Sequence, residues 1–294
     1  MISAYQTAKS PPTPQQFSVI IVTKHITDAL KIVLEQALIS VSDIDDVWIV
    51  HSGDASNVAD LGKHHNAQFV PYEWNGKYPK KRQWCLDSVP TKHEWVFFLD
   101  ADELMFPRLI EEINKTLHAQ NAKNYAGFFV KGGYVWDGQP LKYGLKNNKI
   151  ALIHKKRMMY PVLDDLTASQ MGEIEGHYQP VVTHPDFKIG QLKTNIDHYA
   201  FTDASAWEAR HKKYAKWEAY MIENNAYPKD PIPYREWLKA VFRRTPMRPA
   251  IAFFHCYVLK RGFLDGKKGY QFAKTRAHYY SMVNKARAIL RSSP

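Results

Sequence analysis

The sequence contains only two cysteines, Cys85 and Cys256, far apart in a chain of 294 residues. Their isolation excludes a disulfide framework and a zinc site built on cysteine pairs, and it is typical of proteins from reducing compartments. The longest nearly apolar run, AIAFFHCYVL at residues 250–259, is about half of the roughly 20 residues that a membrane-spanning helix needs. With 45% apolar residues, the chain is predicted to be globular and to have no transmembrane helix.

Three further features are missing. The segment TKHITDA after the first predicted strand contains no glycine-rich loop that could bind phosphate. This absence argues against a nucleotidyltransferase built on a similar sheet. Neither an internal repeat nor a low-complexity tract is present. The N-terminal segment MISAYQTAKSPPTPQQ lacks the apolar core of a secretory signal, so residues 1–16 are predicted to form a flexible leader.

The positive charge is concentrated at one end of the chain. The formal net charge is +11, from 40 basic and 29 acidic residues. Residues 235–294 hold 14 Lys or Arg against two acids, a net +12, which leaves −1 for the first 234 residues. Such a segment favours a polyanion or an anionic membrane surface, although a solvated helical face would have the same composition.

Apolar runs alternate with helical patterns in the first half of the sequence. Predicted strands cover residues 17–23, 46–52, 68–72 and 94–100, and predicted helices cover 28–39, 57–65, 80–88 and a segment from Pro107. This alternation predicts an α/β fold with a mostly parallel sheet flanked by helices. Ligands of such sheets bind beyond the carboxyl ends of the strands, where Thr23, His51 and Asp100 should converge.

The stretch FLDADE carries three acids, Asp100, Asp102 and Glu103, directly after an apolar strand. Mg²⁺ and Mn²⁺ prefer oxygen ligands and commonly bind one or two carboxylates together with substrate phosphates. The pair Asp100 and Asp102 is therefore a candidate metal site. The alternative is that these acids cap the next helix or are solvated.

The second half of the sequence changes character. Strand-like pieces at 127–136 and 149–156 precede predicted helices at 204–223, 235–242, 249–260 and 269–290. The Pro-rich piece at 226–234 is expected to join the two parts. In the last three helices basic residues alternate with aromatic ones, a pattern that suits an amphipathic helix lying in a membrane interface; a packed helical subdomain with a basic side is the alternative.

The segments FSVIIVTKH, VWIVHSGDAS, YEWNGKYPKKRQW and FFLDADE, at these intervals, resemble the GT-A domain of glycosyltransferase family 2. Within the family the chain is most similar to bacterial enzymes that build lipopolysaccharide core and other surface polysaccharides. The resemblance spans about residues 17–290. It implies a GT-A catalytic domain at 17–225 and a basic helical C-terminal region at 226–294.

The resemblance also implies roles for individual residues. Where the family has Val-Asp-Ser-Gly-Ser-Thr-Asp at the second strand end, this chain has VHSGDAS, so His51 replaces an aspartate that contacts the base and Asp54 is a possible substitute. The implied metal is Mn²⁺ or Mg²⁺, with Asp102, Asp100 and His198 as ligands. The implied nucleotide-sugar-binding residues are Thr23, His51, Asp54, Lys80, Lys81, Arg82, Asp100, Ala101 and His177.

An inverting transfer needs a base that accepts the proton of the acceptor hydroxyl. The segment MGEIEGHYQP offers Glu175 and Glu173, which would alternate onto one face of an extended strand. Glu175 is the preferred candidate and Glu173 the second. The adjacent acids Asp164 and Asp165 remain further alternatives.

The function implied is a metal-dependent, inverting glycosyltransferase that adds single sugars, because the Gln-x-x-Arg-Trp motif of processive synthases is absent. The expected partners are a nucleotide-diphosphate sugar (UDP-sugar favoured, GDP-sugar possible), a glycan or lipid-linked acceptor and an anionic membrane surface, with no nucleic acid. The expected location is the cytoplasm, peripherally at the inner face of the cytoplasmic membrane. The alternative is a non-catalytic protein that binds polyanions through its basic C-terminal region.

Overall fold

A computed structural model describes the chain at residues 14–24, 26–54, 56–167, 171–175, 178–201, 204–230 and 232–292. Within these ranges the α/β class is confirmed, with a curled central sheet flanked by helices and a long C-terminal helix. The predicted leader falls almost wholly on residues 1–13, outside the described part.

The first half of the chain builds the parallel part of the sheet, in the order β3-β2-β1-β4. Its strands are rich in β-branched and aromatic residues, and the three inner ones are buried on both faces, as parallel strands between helices must be. The edge strand at residues 68–71 is partly exposed. They are β1 (Phe17–Lys24), β2 (Val47–Ser52), β3 (Gln68–Pro71) and β4 (Trp95–Asp100). The helices that connect and follow them are α1 (Asp28–Ser40), α2 (Ser56–His64), α3 (Lys81–Ser88) and, after β5 (Glu103–Leu104), α4 (Pro107–His118).

The local sequence explains where two of these helices begin. The side chain of Thr27 accepts a hydrogen bond from the backbone N–H of Leu30 at 3.3 Å and so caps the N-terminus of α1. Helix α4 starts at Pro107, whose fixed φ suits the first helical turn and whose missing N–H costs nothing there.

The second half adds antiparallel strands to the sheet, whose path continues as β4-β8-β6-β12-β5. Strand β8 runs antiparallel to both β4 and β6, and β12 runs parallel to β6 and antiparallel to β5. The sheet is therefore parallel at one end and mixed at the other. The strands of this half are β6 (Tyr125–Trp136), β7 (Gln139–Pro140), β8 (Asn147–His154), β9 (Met158–Met159), β10 (Val181–Val182), β11 (Lys188–Gln191) and β12 (Ile196–Phe201).

Four helices follow the sheet: α5 (Ala204–Glu223), α6 (Pro233–Arg244), α7 (Arg248–Phe254) and α8 (Gly266–Ser292). A π-helical turn, His255–Leu259, continues α7, and a short 3₁₀ turn, Gly262–Asp265, precedes α8. Among the described residues, none of the helices combines the length and the apolarity that crossing a bilayer requires.

Helix α8 packs against α5 and against the sheet. Phe272 of α8 contacts Tyr134 and Trp136 of β6, with ring centroids 4.6 and 5.7 Å apart, and it shares a small apolar core with Cys256. The predicted division into residues 17–225 and 226–294 stays a prediction, since this packing joins the two parts through a common core.

Candidate active site

The carboxyl ends of β1, β2 and β4 lie side by side. Thr23 pairs with His51 in the β1–β2 register, and Val22 pairs with Asp100 in the β1–β4 register. The predicted convergence of Thr23, His51 and Asp100 on one edge of the sheet is therefore confirmed. Strand β12 brings His198 to the same edge, where it pairs with Glu103 of β5.

The end of β2 carries a buried histidine with two hydrogen-bond partners. The Nδ1 atom of His51 lies 2.7 Å from Oγ1 of Thr23, and its Nε2 atom lies 2.9 Å from the backbone oxygen of Asp54. A cavity of about 320 Å³ opens beside this histidine and the start of α1. Its lining consists of Ile26, Thr27, Asp28, Lys31, His51, Asp54 and Val58. A polar cavity of this size at the strand ends can accept one planar ring with its polar substituents.

The acids of the FLDADE stretch have separate environments. Asp100 accepts hydrogen bonds from Arg82 at 2.6 Å and from Nζ of Lys149 at 2.7 Å. Burial would raise the pKa of Asp100, but Lys149 and Arg82 lower it overall. Glu103 is buried, accepts from Lys149 at 2.6 Å and from the backbone N–H of Asp100 at 2.9 Å, and thereby holds the turn that follows β4.

Lys149, on β8, is a site residue that the sequence analysis missed. Its ammonium group bridges Asp100 and Glu103, and although burial would lower its pKa, these two carboxylates raise it overall. The only signal in the sequence was a lysine at the start of the strand-like run KIALIH. The antiparallel pairing of β8 with β4, which brings the lysine to Asp100, leaves no local trace in the sequence.

Asp102 faces His198. Oδ1 of Asp102 lies 3.5 Å from Nε2 of His198, and Oδ2 lies 3.8 Å from Nη1 of Arg210. Burial would raise the pKa of Asp102 and lower that of His198, but their mutual attraction reverses both shifts. The ring of Tyr134 stacks on His198 with centroids 5.3 Å apart, which fixes the imidazole plane. Arg210, on α5, was also missed as a site residue.

The pair Asp102 and His198 fits a divalent cation. Two ligands that share a small cation at about 2.1 Å each are separated by about 3 to 4 Å, and the 3.5 Å between Oδ1 and Nε2 lies in this range. His198 Nδ1 is buried and has no hydrogen-bond partner within the described structure. The described residues contain no cluster of three or more His, Cys, Asp or Glu side chains arranged around a metal position. A cation here would have two protein ligands and would need others from a bound phosphate or water.

The segment with the two candidate bases is a turn, which corrects the predicted extended strand. The backbone N–H of Ile174 donates to the carbonyl of Met171 at 3.2 Å, and Gly172 has a φ of 60° that bends the chain. Glu173 and Glu175 therefore do not alternate along a strand. His177 lies outside the described residues, so its predicted role stays a prediction.

Both glutamates contact the start of α3. Oε1 of Glu175 accepts from the backbone N–H groups of Arg82 and Gln83 at 2.7 and 3.3 Å, and burial raises its pKa. Glu173 forms ion pairs with Lys81 at 2.9 Å and Lys24 at 3.1 Å. Burial would raise the pKa of Glu173, but its hydrogen-bonding partners lower it overall. Glu175 is thus the more basic of the two carboxylates.

The three cations of the KKR run point in different directions. Lys80 is only 1% exposed and donates to Asp165 at 2.7 Å, together with Tyr78 and Trp217. Lys81 donates to the carbonyl of Thr23 at 2.9 Å, and Arg82 reaches Asp100. Arg82, whose side chain is partly exposed, borders the crevice. Lys80 and Lys81 are both buried and paired, so their contact with a nucleotide sugar stays a prediction that burial does not favour. Ala101, between the two aspartates, is buried.

No family model matches the chain. Its fold is similar to that of a mannosyltransferase from Pyrobaculum calidifontis solved with GDP-Man and Mn²⁺: 15% identity over 97% of this chain and 90% of that one, with a TM-score of 0.49. It is also similar to glucosyl-3-phosphoglycerate synthase from Mycobacterium tuberculosis solved with Mn²⁺, UDP and phosphoglyceric acid: 13% identity, 76% and 86% coverage, and a TM-score of 0.43. In another complex of that synthase, with UDP-glucose, this chain spans 44% of the matched chain, with 17% identity and a TM-score of 0.31.

Proposed function

We propose that this protein is a metal-dependent glycosyltransferase that moves a sugar from a nucleotide-diphosphate sugar to an acceptor. The observation that carries the proposal is the facing pair Asp102 and His198 at the carboxyl edge of the sheet, 3.5 Å apart and next to Arg210. Asp102 and His198 would hold Mn²⁺ or Mg²⁺, which when bound stabilises the negative charge of a diphosphate leaving group. The resemblance of the FLDADE stretch to family 2 supports the same assignment.

The cavity beside His51 is proposed to hold the nucleoside. Thr23 and the backbone oxygen of Asp54 fix both ring nitrogens of His51, so the imidazole has one orientation toward the cavity. A UDP-sugar is the favoured donor and a GDP-sugar the second choice. Arg82 and Lys81 are proposed to contact the phosphate oxygens of the donor, since guanidinium and ammonium groups donate charge-assisted hydrogen bonds to phosphate. Lys81 would first have to leave its pairing with Glu173.

The transfer is proposed to invert the anomeric centre in one displacement. The acceptor oxygen forms a bond to the anomeric carbon while the bond from that carbon to the diphosphate oxygen breaks and its electron pair leaves with the nucleoside diphosphate. Glu175 would accept the proton of the acceptor hydroxyl. Its raised pKa suits a base at neutral pH better than Glu173, whose pKa is lowered.

The acceptor is proposed to be lipopolysaccharide or another surface glycan, carried on a lipid at the inner face of the cytoplasmic membrane and extended by one sugar at a time. The resemblance to bacterial enzymes of surface-polysaccharide synthesis supports this acceptor class. The sequence features behind it are the segments WEARHKKYAKWEA and YVLKRGFLDGKKGY, which are similar to segments of those enzymes.

Calorimetric titration of the full chain with UDP, GDP and a panel of their sugars, with and without Mn²⁺, tests the proposal. We expect saturable binding of one nucleotide series that strengthens at least tenfold with Mn²⁺. Absence of a metal-dependent heat for every nucleotide would reject the glycosyltransferase assignment. If heparin instead bound with a steep dependence on salt, the polyanion-binding alternative would replace it.

A further inference from the structure

Large apolar side chains are exposed mainly in the C-terminal region. Of the 22 large apolar residues that are exposed in the described structure, 15 lie between residues 232 and 290, in less than a quarter of the chain. Scattered exposed apolar residues are normal, but a concentration of this kind marks a surface that meets a partner.

Helix α6 presents an apolar stripe on one side. Tyr234, Trp237, Leu238 and Val241 are all exposed, at the i, i+3, i+4 and i+7 positions that form one helix face. A neighbouring side of the helix holds it to the protein: the ring of Phe242 packs on Tyr280 of α8, with centroids 4.9 Å apart. Trp237 is 61% exposed, and among the described residues its ring stacks only on that of Tyr234, at 6.4 Å.

Helix α7 and the π-helical turn after it continue the pattern. Met247, Ile251, Phe254 and Val258 are exposed at spacings of four, three and four residues, again one helix face. The inward face is anchored by Arg248, which is buried against Glu218, and by Cys256. The two successive helices therefore both turn apolar faces away from the body. We call the eight residues the docking face: Tyr234, Trp237, Leu238, Val241, Met247, Ile251, Phe254 and Val258.

Unneutralised cations accompany the docking face. Arg244, Lys260, Arg261 and Lys267 are exposed, and none of them forms an ion pair within the part of the chain that the structure describes. The two acids of the region are engaged elsewhere. Glu236 pairs with Arg243 at 2.8 Å, and Asp265 accepts from the backbone N–H of Tyr143 at 2.8 Å.

We propose that the docking face rests in the headgroup layer of an anionic lipid bilayer, with the apolar side chains among the upper acyl chains and the four cations among the lipid phosphates. Exposed Trp, Tyr and Phe next to Lys and Arg are what an interfacial helix needs. A nucleic acid or an acidic glycan would use the cations but would leave the aliphatic side chains in water. This inference concerns where the protein works and does not depend on the transfer reaction.

Sedimentation of the full chain with lipid vesicles tests the proposal. One set of vesicles contains phosphatidylcholine alone, and the other also contains about 30 mol % of the anionic lipid phosphatidylglycerol. The variant Trp237→Ser/Phe254→Ser should bind both kinds of vesicle about a hundredfold more weakly, because it removes two aromatic side chains that would be buried in the apolar layer of the membrane. The variant Arg244→Gln/Lys260→Gln should lose about ten- to thirtyfold, and only with the anionic vesicles.

The matched controls are Val162→Ser, which removes an apolar side chain that is 70% exposed outside this region, and Lys156→Gln; both should bind like the wild type. All these positions are exposed, so circular dichroism should show unchanged folding. Failure of the wild type to bind vesicles, or equal binding by all variants, would overturn the proposal. If the wild type formed a dimer and bound no vesicles, and if Trp237→Ser/Phe254→Ser dissociated that dimer, the proposal would be overturned. The docking face would then bind a second copy of this chain. Nucleotide-sugar titration of the same variants reports separately on the proposed function.

Discussion

The crevice at the sheet edge and the region around the docking face both contain several cations, but the four exposed cations beside the docking face have no counter-charge among the described residues. Arg82 and Lys149 share Asp100, and Lys81 binds Glu173, whereas Arg244 and Lys260 of the second region form no ion pair with a described residue. A count of charges in the sequence finds the second region and overlooks the first. The position of each counter-charge, which only the fold determines, distinguishes the proposed active site from the proposed docking face.

The difference has an energetic consequence. Removing one member of a buried ion pair leaves an uncompensated charge and costs about 3 to 5 kcal/mol, whereas removing an exposed, unpaired cation changes the free energy of unfolding little. Substitutions that remove one member of an ion pair in the crevice should therefore disturb both function and folding. Substitutions on the docking face should disturb binding alone.

The largest effect is expected for Asp102→Asn. Asparagine keeps the size of the side chain but loses the charge that faces His198 and Arg210. We expect the Mn²⁺-dependent part of nucleotide binding to vanish in calorimetry and sugar transfer to fall by about a thousandfold.

The matched control for this prediction is Asp186→Asn, which removes the charge of a carboxylate that is 85% exposed outside the crevice. It should keep both activities. Metal-dependent binding that survives in Asp102→Asn at wild-type strength would remove Asp102 from the site.

A smaller effect is expected at Glu175, which accepts hydrogen bonds from the start of helix α3. Glu175→Gln retains an oxygen that can accept from the N–H groups of Arg82 and Gln83, so we expect folding and donor binding to persist while transfer falls about a hundredfold. Glu175→Ala removes the acceptor too and should cost a further 1 to 2 kcal/mol, roughly, of unfolding free energy.

Donor titration, turnover and urea unfolding of the two variants separate these roles. Full turnover by Glu175→Gln would limit this residue to capping α3. Loss of folding by both variants to the same extent would show that the charge of Glu175, rather than a hydrogen bond to the helix start, holds the turn at residues 171–175.

The sequence was sufficient to predict the elements of both regions. The strands and helices of the first half, and the helices from residue 204 onward, begin and end within a few residues of the predicted bounds, because the period of their apolar residues and local signals such as Pro107 act over short distances. The convergence of Thr23, His51 and Asp100 was also predictable, since parallel strands must end at one edge.

The parts of the site that escaped prediction depend on distant pairs. Lys149 reaches Asp100 across 49 residues, and the Lys80–Asp165 pair joins positions 85 apart. The turn at residues 171–175 was predicted as a strand because its alternating glutamates match a period of two. It bends instead at Gly172, and its side chains are fixed by α3, on another part of the chain.

The contrast between paired and unpaired cations can be measured as stability. Lys149→Met leaves Asp100 and the buried Glu103 without a shared cation, so we expect it to lower the unfolding free energy by about 3 kcal/mol. Lys156→Met removes a surface pair with Glu94, from a lysine that is 77% exposed, and should change it by less than about 1 kcal/mol. Urea unfolding at neutral pH measures both. Equal midpoints for the two variants would contradict the assigned difference.

The smallest effect concerns His154, a buried histidine whose charged form is stabilised too little by the nearby carboxylate of Glu94 to offset burial. It packs edge-on against Trp95 and lies near Arg157, and burial lowers its pKa from 6.5 to about 4. Between these values the unfolded chain binds a proton that the folded protein does not, so this histidine makes the protein less stable as pH falls from about 6.5 to 4.

Replacement by the neutral His154→Gln should flatten the dependence of unfolding free energy on pH in this window, by about 1 to 3 kcal/mol between its ends. An unchanged slope in His154→Gln would mean that the ring binds its proton equally well in the folded and the unfolded protein, so that its pKa is not lowered by folding. The carboxylate of Glu94, which attracts a proton to this ring, would then balance burial and the repulsion by Arg157 and Lys156.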